Sequence, residues 1–234
     1  MSNKTIVIGN SPYKNLNISQ FIDNNIDTIV RCNLALPDGN TSSRYGKLAL
    51  CSHIHNRFFV LPQGKQGEEK DEHWKSVIEE YKPNYKLEHL NTFIDRYAYN
   101  GEAEKFEDIY YEEPDTGAYN RKLESLGAPT FLQQPRTGHS AAMRRLLKGD
   151  KVFLFGFTVF EDEERVTDYV REGKYESECH NKQSEIKVIN WLHNNGHIDA
   201  SLCLLEDTQD IKFKNHPTIS PSKFILNYFS RIIK

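Results

Sequence analysis

Thr5-Ile6-Val7-Ile8-Gly9-Asn10-Ser11-Pro12 is the stretch on which the fold turns. Four consecutive β-branched residues, with no polar alternation, read as a strand buried on both faces. Such a strand belongs to a parallel sheet covered by helices above and below. Gly9 ends the run, and Asn10-Ser11-Pro12 breaks regular structure. Residues 18–24 carry Ile18, Phe21 and Ile22 at the spacing of a short amphipathic helix, and 27–32 form a second β-branched run. This strand–helix–strand opening predicts an α/β protein with a Rossmann-like parallel sheet and helices on both faces.

Further along, 48–51 and 57–61 read as short strands, 67–81 as a helix and 85–99 as mixed structure, while 100–130 give no readable pattern. Residues 138–147 predict a helix and 151–155 a strand that ends at Gly156-Phe157. Charges dominate 158–179, the mark of a solvated loop or of a lid over a site. Residues 181–195 form a helix with Ile186, Ile189, Trp191 and Leu192 mostly on one side, stopped by Asn194-Asn195-Gly196. Residues 201–205 read as a last strand. No internal repeat or low-complexity linker interrupts the chain.

The 234 residues are divided here into one domain over 1–221, with a lid at 158–179, and an amphipathic helix over 222–234. Hydrophobic content of 38% supplies a core, and a net charge of −3 with mixed signs argues against a nucleic-acid partner. No apolar run reaches the roughly 18–20 residues of a membrane span, and no signal-peptide pattern opens the sequence. Cys32, Cys51, Cys179 and Cys203 are scattered, which suits reduced thiols in a cytoplasm. The 222–234 stripe of Phe224, Ile225, Tyr228, Phe229, Ile232 and Ile233 has two readings. With Lys223, Arg231 and Lys234 at its ends it suits peripheral contact with an anionic membrane; as an ordinary end helix it docks on the sheet.

Open parallel sheets bind ligands beyond the carboxyl ends of their strands. Gly9-Asn10-Ser11, Arg31-Cys32-Asn33 and Gly156-Phe157 are such ends, and Pro135-Arg136-Thr137-Gly138 opens a helix whose free N–H groups favour an anion. Small residues, amides and a helix N-terminus in one crevice suit a nucleotide's phosphate and ribose. The glycine pattern is not that of a dinucleotide fold, and no P-loop is present. No two aspartates are spaced D-x-D, so neither a metal nor another cofactor is expected. His53-Ile54-His55 sets two imidazoles on one strand face without a third ligand, and His193 and His197 lack the Glu of a zinc helix.

These segments carry a resemblance. Ile6-Val7-Ile8-Gly9-Asn10-Ser11 with Asp27-Thr28-Ile29-Val30-Arg31-Cys32-Asn33-Leu34-Ala35 resembles the large motif of the sialyltransferases. Pro135-Arg136-Thr137-Gly138, running to Val152-Phe153-Leu154-Phe155-Gly156-Phe157, is similar to their small motif, and His180-Asn181-Lys182-Gln183-Ser184-Glu185 to their very small motif. Order and approximate spacing agree over residues 6–185. Arg136 departs from the Ser or Thr common in the family, and Lys174-Tyr175-Glu176 stands where a His often opens a short aromatic motif. The membrane anchor and disulfide of secreted eukaryotic members are not seen, so the chain looks more like the bacterial enzymes that decorate surface glycans.

The resemblance implies a variant GT-A, sialyltransferase-like fold and an inverting, metal-independent transfer of sialic acid from CMP-sialic acid to a glycan hydroxyl. The acceptor expected is a lipooligosaccharide, capsule or other surface polysaccharide, met in the cytoplasm or at the inner face of the membrane. His180 is the expected catalytic base, since an imidazole titrating near pH ~6.5 suits removal of a hydroxyl proton; a surface or helix-capping His is the plain alternative. Glu185 either buttresses the site or is solvated. Asn10, Ser11, Asn33, Thr137, Gly138, Gly156 and Phe157 are the expected nucleotide contacts, and Tyr175 an expected donor to the leaving phosphate. For Asn10 and Asn33 a turn role competes, for Tyr175 a lid aromatic, and Arg31 is phosphate-binding or structural. Two further readings stay open: a donor such as CMP-Kdo or another nonulosonic acid, and a nucleotide-binding protein whose catalysis has decayed.

Overall fold

The computed structural model describes residues 2–9, 13, 15–32, 51–54, 86–90, 116–160 and 180–231. The β-branched opening run becomes β1 (Lys4–Ile8), and Ile6 and Val7 are fully buried. α1 (Ser19–Asn25) and β2 (Thr28–Cys32) follow as the sequence predicts. β1 lies between β2 and β5 (Lys151–Phe155), parallel to both, with Ile6 opposite Ile29 on one side and Phe153 on the other. β3 (Cys51–Ile54) and β4 (Lys86–Leu90) extend the sheet beyond β2, and β6 (Ile198–Asp199) beyond β5. The order is β4-β3-β2-β1-β5-β6, and every pairing is parallel. The chain thus steps outward from β1 one way, then returns to build the other side from β5. That reversal makes the carboxyl ends of β1 and β5 the switch point of the sheet, the place where open parallel sheets bind ligands.

Because strand side chains alternate, β1 and β5 feed two cores. Val7, Val152 and Leu154 face α2 (Thr116–Ser125), α3 (Thr137–Leu147) and α4 (Lys182–Asn194), which bring Tyr119 and Leu123, Ala141 to Met143, and Val188, Ile189 and Leu192. Ile6, Ile8, Phe153 and Phe155 face Phe21 and Ile22 of α1 with Ile225 and Phe229 of α5 (Lys223–Phe229). Helices therefore cover both faces, as the unbroken apolar strands require. In α4, Ile186, Ile189 and Leu192 are buried while Trp191 is half-buried and stacks on His197 at 5.6 Å. Gly196, at φ 75°, ends the helix in the left-handed region where a glycine costs least.

One expectation is corrected. The run 201–205 is not a strand: β6 lies just before it, and Ser201–Leu204 is a 3₁₀ turn. Asp199 Oδ1 accepts from both the N–H and the hydroxyl of Ser201, which bends the chain out of the sheet. The turn then sends Leu202 and Leu205, three residues apart, into one core, and Cys203 and Leu204 into the other. The unreadable 100–130 region contains α2, whose ten residues bury only Tyr119 and Leu123. Of the strand expected at 48–51, Cys51 opens β3, while residues 48–50, the strand expected at 57–61, the helix expected at 67–81, His55 and the lid beyond residue 160 lie outside the described residues.

Of the two readings of the last helix, docking on the sheet is the one its described residues show. The aromatic face it would present to lipid is packed in the protein. Ile225 and Phe229 are buried, Tyr228 meets Phe21 edge-on at 5.0 Å, and Phe224 lies 5.8 Å from Phe153. Ser222 caps α5 by accepting from the Ile225 N–H, while its hydroxyl donates to Asp199 Oδ2 at 2.6 Å. The Ser222 N–H donates to the Ser201 hydroxyl at 2.6 Å. Ile232, Ile233 and Lys234 lie outside the described residues. Among the described residues, no helix is long and apolar enough to cross a membrane.

Candidate functional site

The floor of the switch point is backbone. The Gly9 N–H donates to the Phe155 carbonyl at 2.7 Å, carrying the β1–β5 pairing one residue past the strand. A Cβ on Gly9 would stand 2.3 Å from the Gly156 carbonyl oxygen, and Gly156 holds φ at 72°. Side chains are thus excluded where the two strand ends meet, and only glycine satisfies both positions. The two strand ends approach each other at the switch point through backbone alone, with Gly9 half-buried and Gly156 buried.

Beside it stands the start of α3. Phe157, buried after the Gly156 turn, meets the His139 ring edge-on at 5.2 Å. His139 is in the first turn of α3, so Thr137 and Gly138 lie alongside the end of β5, both half-buried. Arg136, the N-cap residue, makes no side-chain cap hydrogen bond. A helix start of this kind favours an anion through its first-turn N–H groups and the helix dipole.

The Arg136 side chain is used elsewhere. Glu185 Oε1 accepts from the Arg136 backbone N–H at 2.7 Å, and Oε2 from the guanidinium Nη1 at 2.8 Å. Both side chains are at least nine-tenths buried, with Glu185 the deeper of the two. His139 Nδ1 lies 3.7 Å from the same carboxylate. Two more bonds tie the same segment to the start of α4. The Leu132 N–H donates to the Ser184 hydroxyl at 3.3 Å, and His180 Nδ1 lies 2.7 Å from the Gln134 carbonyl. Residues 132–136 are thus a strap fastened at alternate positions to the first turn of α4. Asn181 caps that turn, its side chain accepting from the Ser184 N–H at 2.8 Å.

A carbonyl only accepts, so the His180 Nδ1 carries the proton. In the neutral ring the lone pair then sits on Nε2, the arrangement a general base requires. His180 is half-buried and precedes α4 rather than capping it.

Of the residues singled out by sequence, Gly156, Phe157, Thr137 and Gly138 gather around the junction of β5 and α3, with His180 joined to the strap leading into α3. Glu185 is buried and paired with Arg136, so it is not the solvated helix residue of its second alternative. Asn10, Ser11, Asn33 and Tyr175 lie outside the described residues. Sequence reasoning missed Gly9 as a steric requirement, Gln134 as partner of His180, and Arg136 as counter-charge to Glu185. The last was signalled: a basic residue stands where the family motif commonly has a hydroxyl, and an acidic one follows in the similarly matched very small motif.

No protein-family model matches this sequence, and no curated protein does. Solved structures do match. The monofunctional α-2,3-sialyltransferase Cst-I from Campylobacter jejuni aligns with 99% of this chain and 94% of its own, at TM-score 0.54 and 15% identity. A mammalian sialyltransferase in complex with Gal-β-1-3GalNAc-ortho-nitrophenol aligns with 84% of this chain and 68% of its own, at TM-score 0.49 and 16% identity. The sialyltransferase CST-II in complex with a trisaccharide acceptor and CMP aligns with 98% of this chain and 99% of its own, at TM-score 0.49 and 17% identity. Its parallel sheet, covered on both faces and shared with Cst-I over nearly the whole length of each chain, gives this protein the fold of the sialyltransferases.

Proposed function

We propose that the chain is an inverting glycosyltransferase that moves sialic acid from CMP-sialic acid to a glycan hydroxyl, without a metal ion. One observation carries the reading: His180, held with its lone pair on Nε2 by the Gln134 carbonyl, is joined through one strap to the helix N-terminus beside the Gly9–Gly156 floor. The fold shared with Cst-I supports it. In this scheme the phosphate of CMP meets the first-turn N–H groups of α3 and the peptide groups of the floor. The acceptor hydroxyl gives its proton to His180 Nε2 as its oxygen bonds to the anomeric carbon. The bond from that carbon to the phosphate oxygen breaks, and CMP departs with the electron pair. A transition state of oxocarbenium character and attack from the opposite face invert the centre.

The test is a donor panel on the purified chain, offering CMP-sialic acid, CMP-Kdo and other CMP-nonulosonic acids, with acceptor transfer and donor hydrolysis measured together. Transfer from CMP-sialic acid is expected. Transfer only from another CMP-sugar would keep the mechanism and change the donor. Binding of CMP with neither transfer nor hydrolysis would mark a nucleotide-binding protein.

A further inference from the structure

We infer that Arg136 and Glu185 are positioning residues that hold His180 in one tautomer, acting through the strap and touching no reacting atom. That His180 is the base rests on the proposed transferase reading; the mechanical coupling rests on geometry alone.

The coupling runs through three consecutive residues. His180 is read by the carbonyl of Gln134, and Glu185 grips the N–H of Arg136. Pro135 lies between them. Its ring fixes φ, and the peptide groups on either side are planar. Only one soft torsion, ψ of Pro135, therefore separates the carbonyl that orients the imidazole from the N–H that the carboxylate holds. Both grips are on the same short piece of chain, His180 just before α4 and Glu185 in its first turn. The bonds close a small ring of backbone in which moving one contact moves the other.

The ion pair makes the Glu185 grip firm. One carboxylate oxygen takes the backbone N–H and the other takes the guanidinium of the same residue, so Arg136 is held at two points. A buried carboxylate tolerates its place when it is paired and hydrogen-bonded. Glu185 has both conditions from Arg136. The third fastening, Leu132 to Ser184, is longer and uses a hydroxyl that can rotate. If Glu185 releases Arg136, the Gln134 carbonyl swings on the proline torsion. His180 is then free to carry its proton on Nε2, where it cannot act as base.

The experiment uses the full chain labelled with ¹⁵N-histidine, with the His180 signals assigned by their loss in His180→Ala. Ring ¹⁵N shifts are read above the titration range of the imidazole, together with kcat and the affinity for CMP. Wild type is expected to show unprotonated Nε2 and protonated Nδ1. In folded Glu185→Gln and Arg136→Ser the two nitrogens should move toward averaged shifts. Their kcat should fall about 10–100-fold, the usual effect of losing a group that orients a functional imidazole, with CMP affinity within about twofold. Arg136→Lys, which restores a charge, should recover part of the loss. If Glu185→Gln does not fold, the pair is replaced by Arg136→Met with Glu185→Leu, since apolar residues of similar volume often preserve stability where a broken buried pair does not. Averaged shifts in that double variant support the inference. A single unchanged tautomer in folded Glu185→Gln, or in the folded double variant, overturns it. The shifts need no turnover, so a chain that transfers nothing from any CMP-sugar would defeat the functional reading and leave this one decided separately.

Discussion

Gly9 is a position where one methyl group decides stability. Its added Cβ would lie 2.3 Å from the Gly156 carbonyl oxygen, and backbone cannot swing aside as a side chain can. Gly9→Ala is therefore expected to lose about 1–3 kcal/mol, the range for overpacking a tight interior, measured by chemical denaturation. Gly156→Ala meets a different penalty. Its φ of 72° costs a residue with a Cβ about 1–2 kcal/mol, and the new carbon would stand 3.0 Å from the Gly9 carbonyl oxygen. For His180 the expectation is chemical. His180→Ala should bind CMP as wild type does and transfer about 10²–10⁴-fold more slowly, the usual loss for a general base. Transfer at the wild-type rate would remove His180 from the mechanism. The role of His180 as candidate base was legible in the sequence because its type and spacing sit in a motif. Its partner was not, because a backbone carbonyl has no sequence signature and Gln134 contributes nothing but that carbonyl to the bond.

At the scale of elements, α5 shows what periodicity tells and what it leaves out. The three- and four-residue spacing of its apolar residues correctly gives a helix with one apolar face. It is silent on what covers that face, because lipid and a protein core ask for the same stripe. The core covers it here, so Ile225→Ala should cost about 2–5 kcal/mol, and the intact protein should not bind anionic liposomes through this face. Aromatic burial adds a pH signature. Desolvation by burial raises the Tyr228 phenol above its ordinary 10.0, with a side-chain hydrogen bond to Asn24 pulling the other way. The folded state favours the neutral phenol, so this contribution is whole below pH about 10 and is lost as pH rises through the folded value. Tyr228→Phe should accordingly flatten the alkaline limb of a stability–pH curve. The misread 201–205 run has the opposite cause. Every residue there is buried, so periodicity has no polar side to register, and the local Asp199–Ser201 bonds decide the conformation. α2 escaped notice because TGAYNRKLES offers only two core contacts, Tyr119 and Leu123.

For the whole molecule, the parallel sheet was legible in three unbroken strands, β1, β2 and β5, but their order was not. Order depends on which pairs of strands meet across the chain, and β1 joins β5 from nearly 150 positions away. That the strands' carboxyl ends share one edge followed from reading the sheet as parallel, since parallel strands carry each carboxyl end to the same side. Transfer is expected to continue in EDTA, because the sequence offers no D-x-D pair to hold a cation; activity lost in EDTA and restored by magnesium or manganese would contradict this. The docking of α5 also bears on how the protein is made. Ile6, Ile8, Phe153 and Phe155 form one face of the central strands, and Ile225 and Phe229 help cover it. During synthesis, which delivers about 5–20 residues per second, the ribosome therefore releases β1 and β5 well before the helix that finishes their cover. The nascent chain carries an unfinished greasy sheet through that interval, a natural target for a chaperone and the stage at which a stalled or truncated product would aggregate.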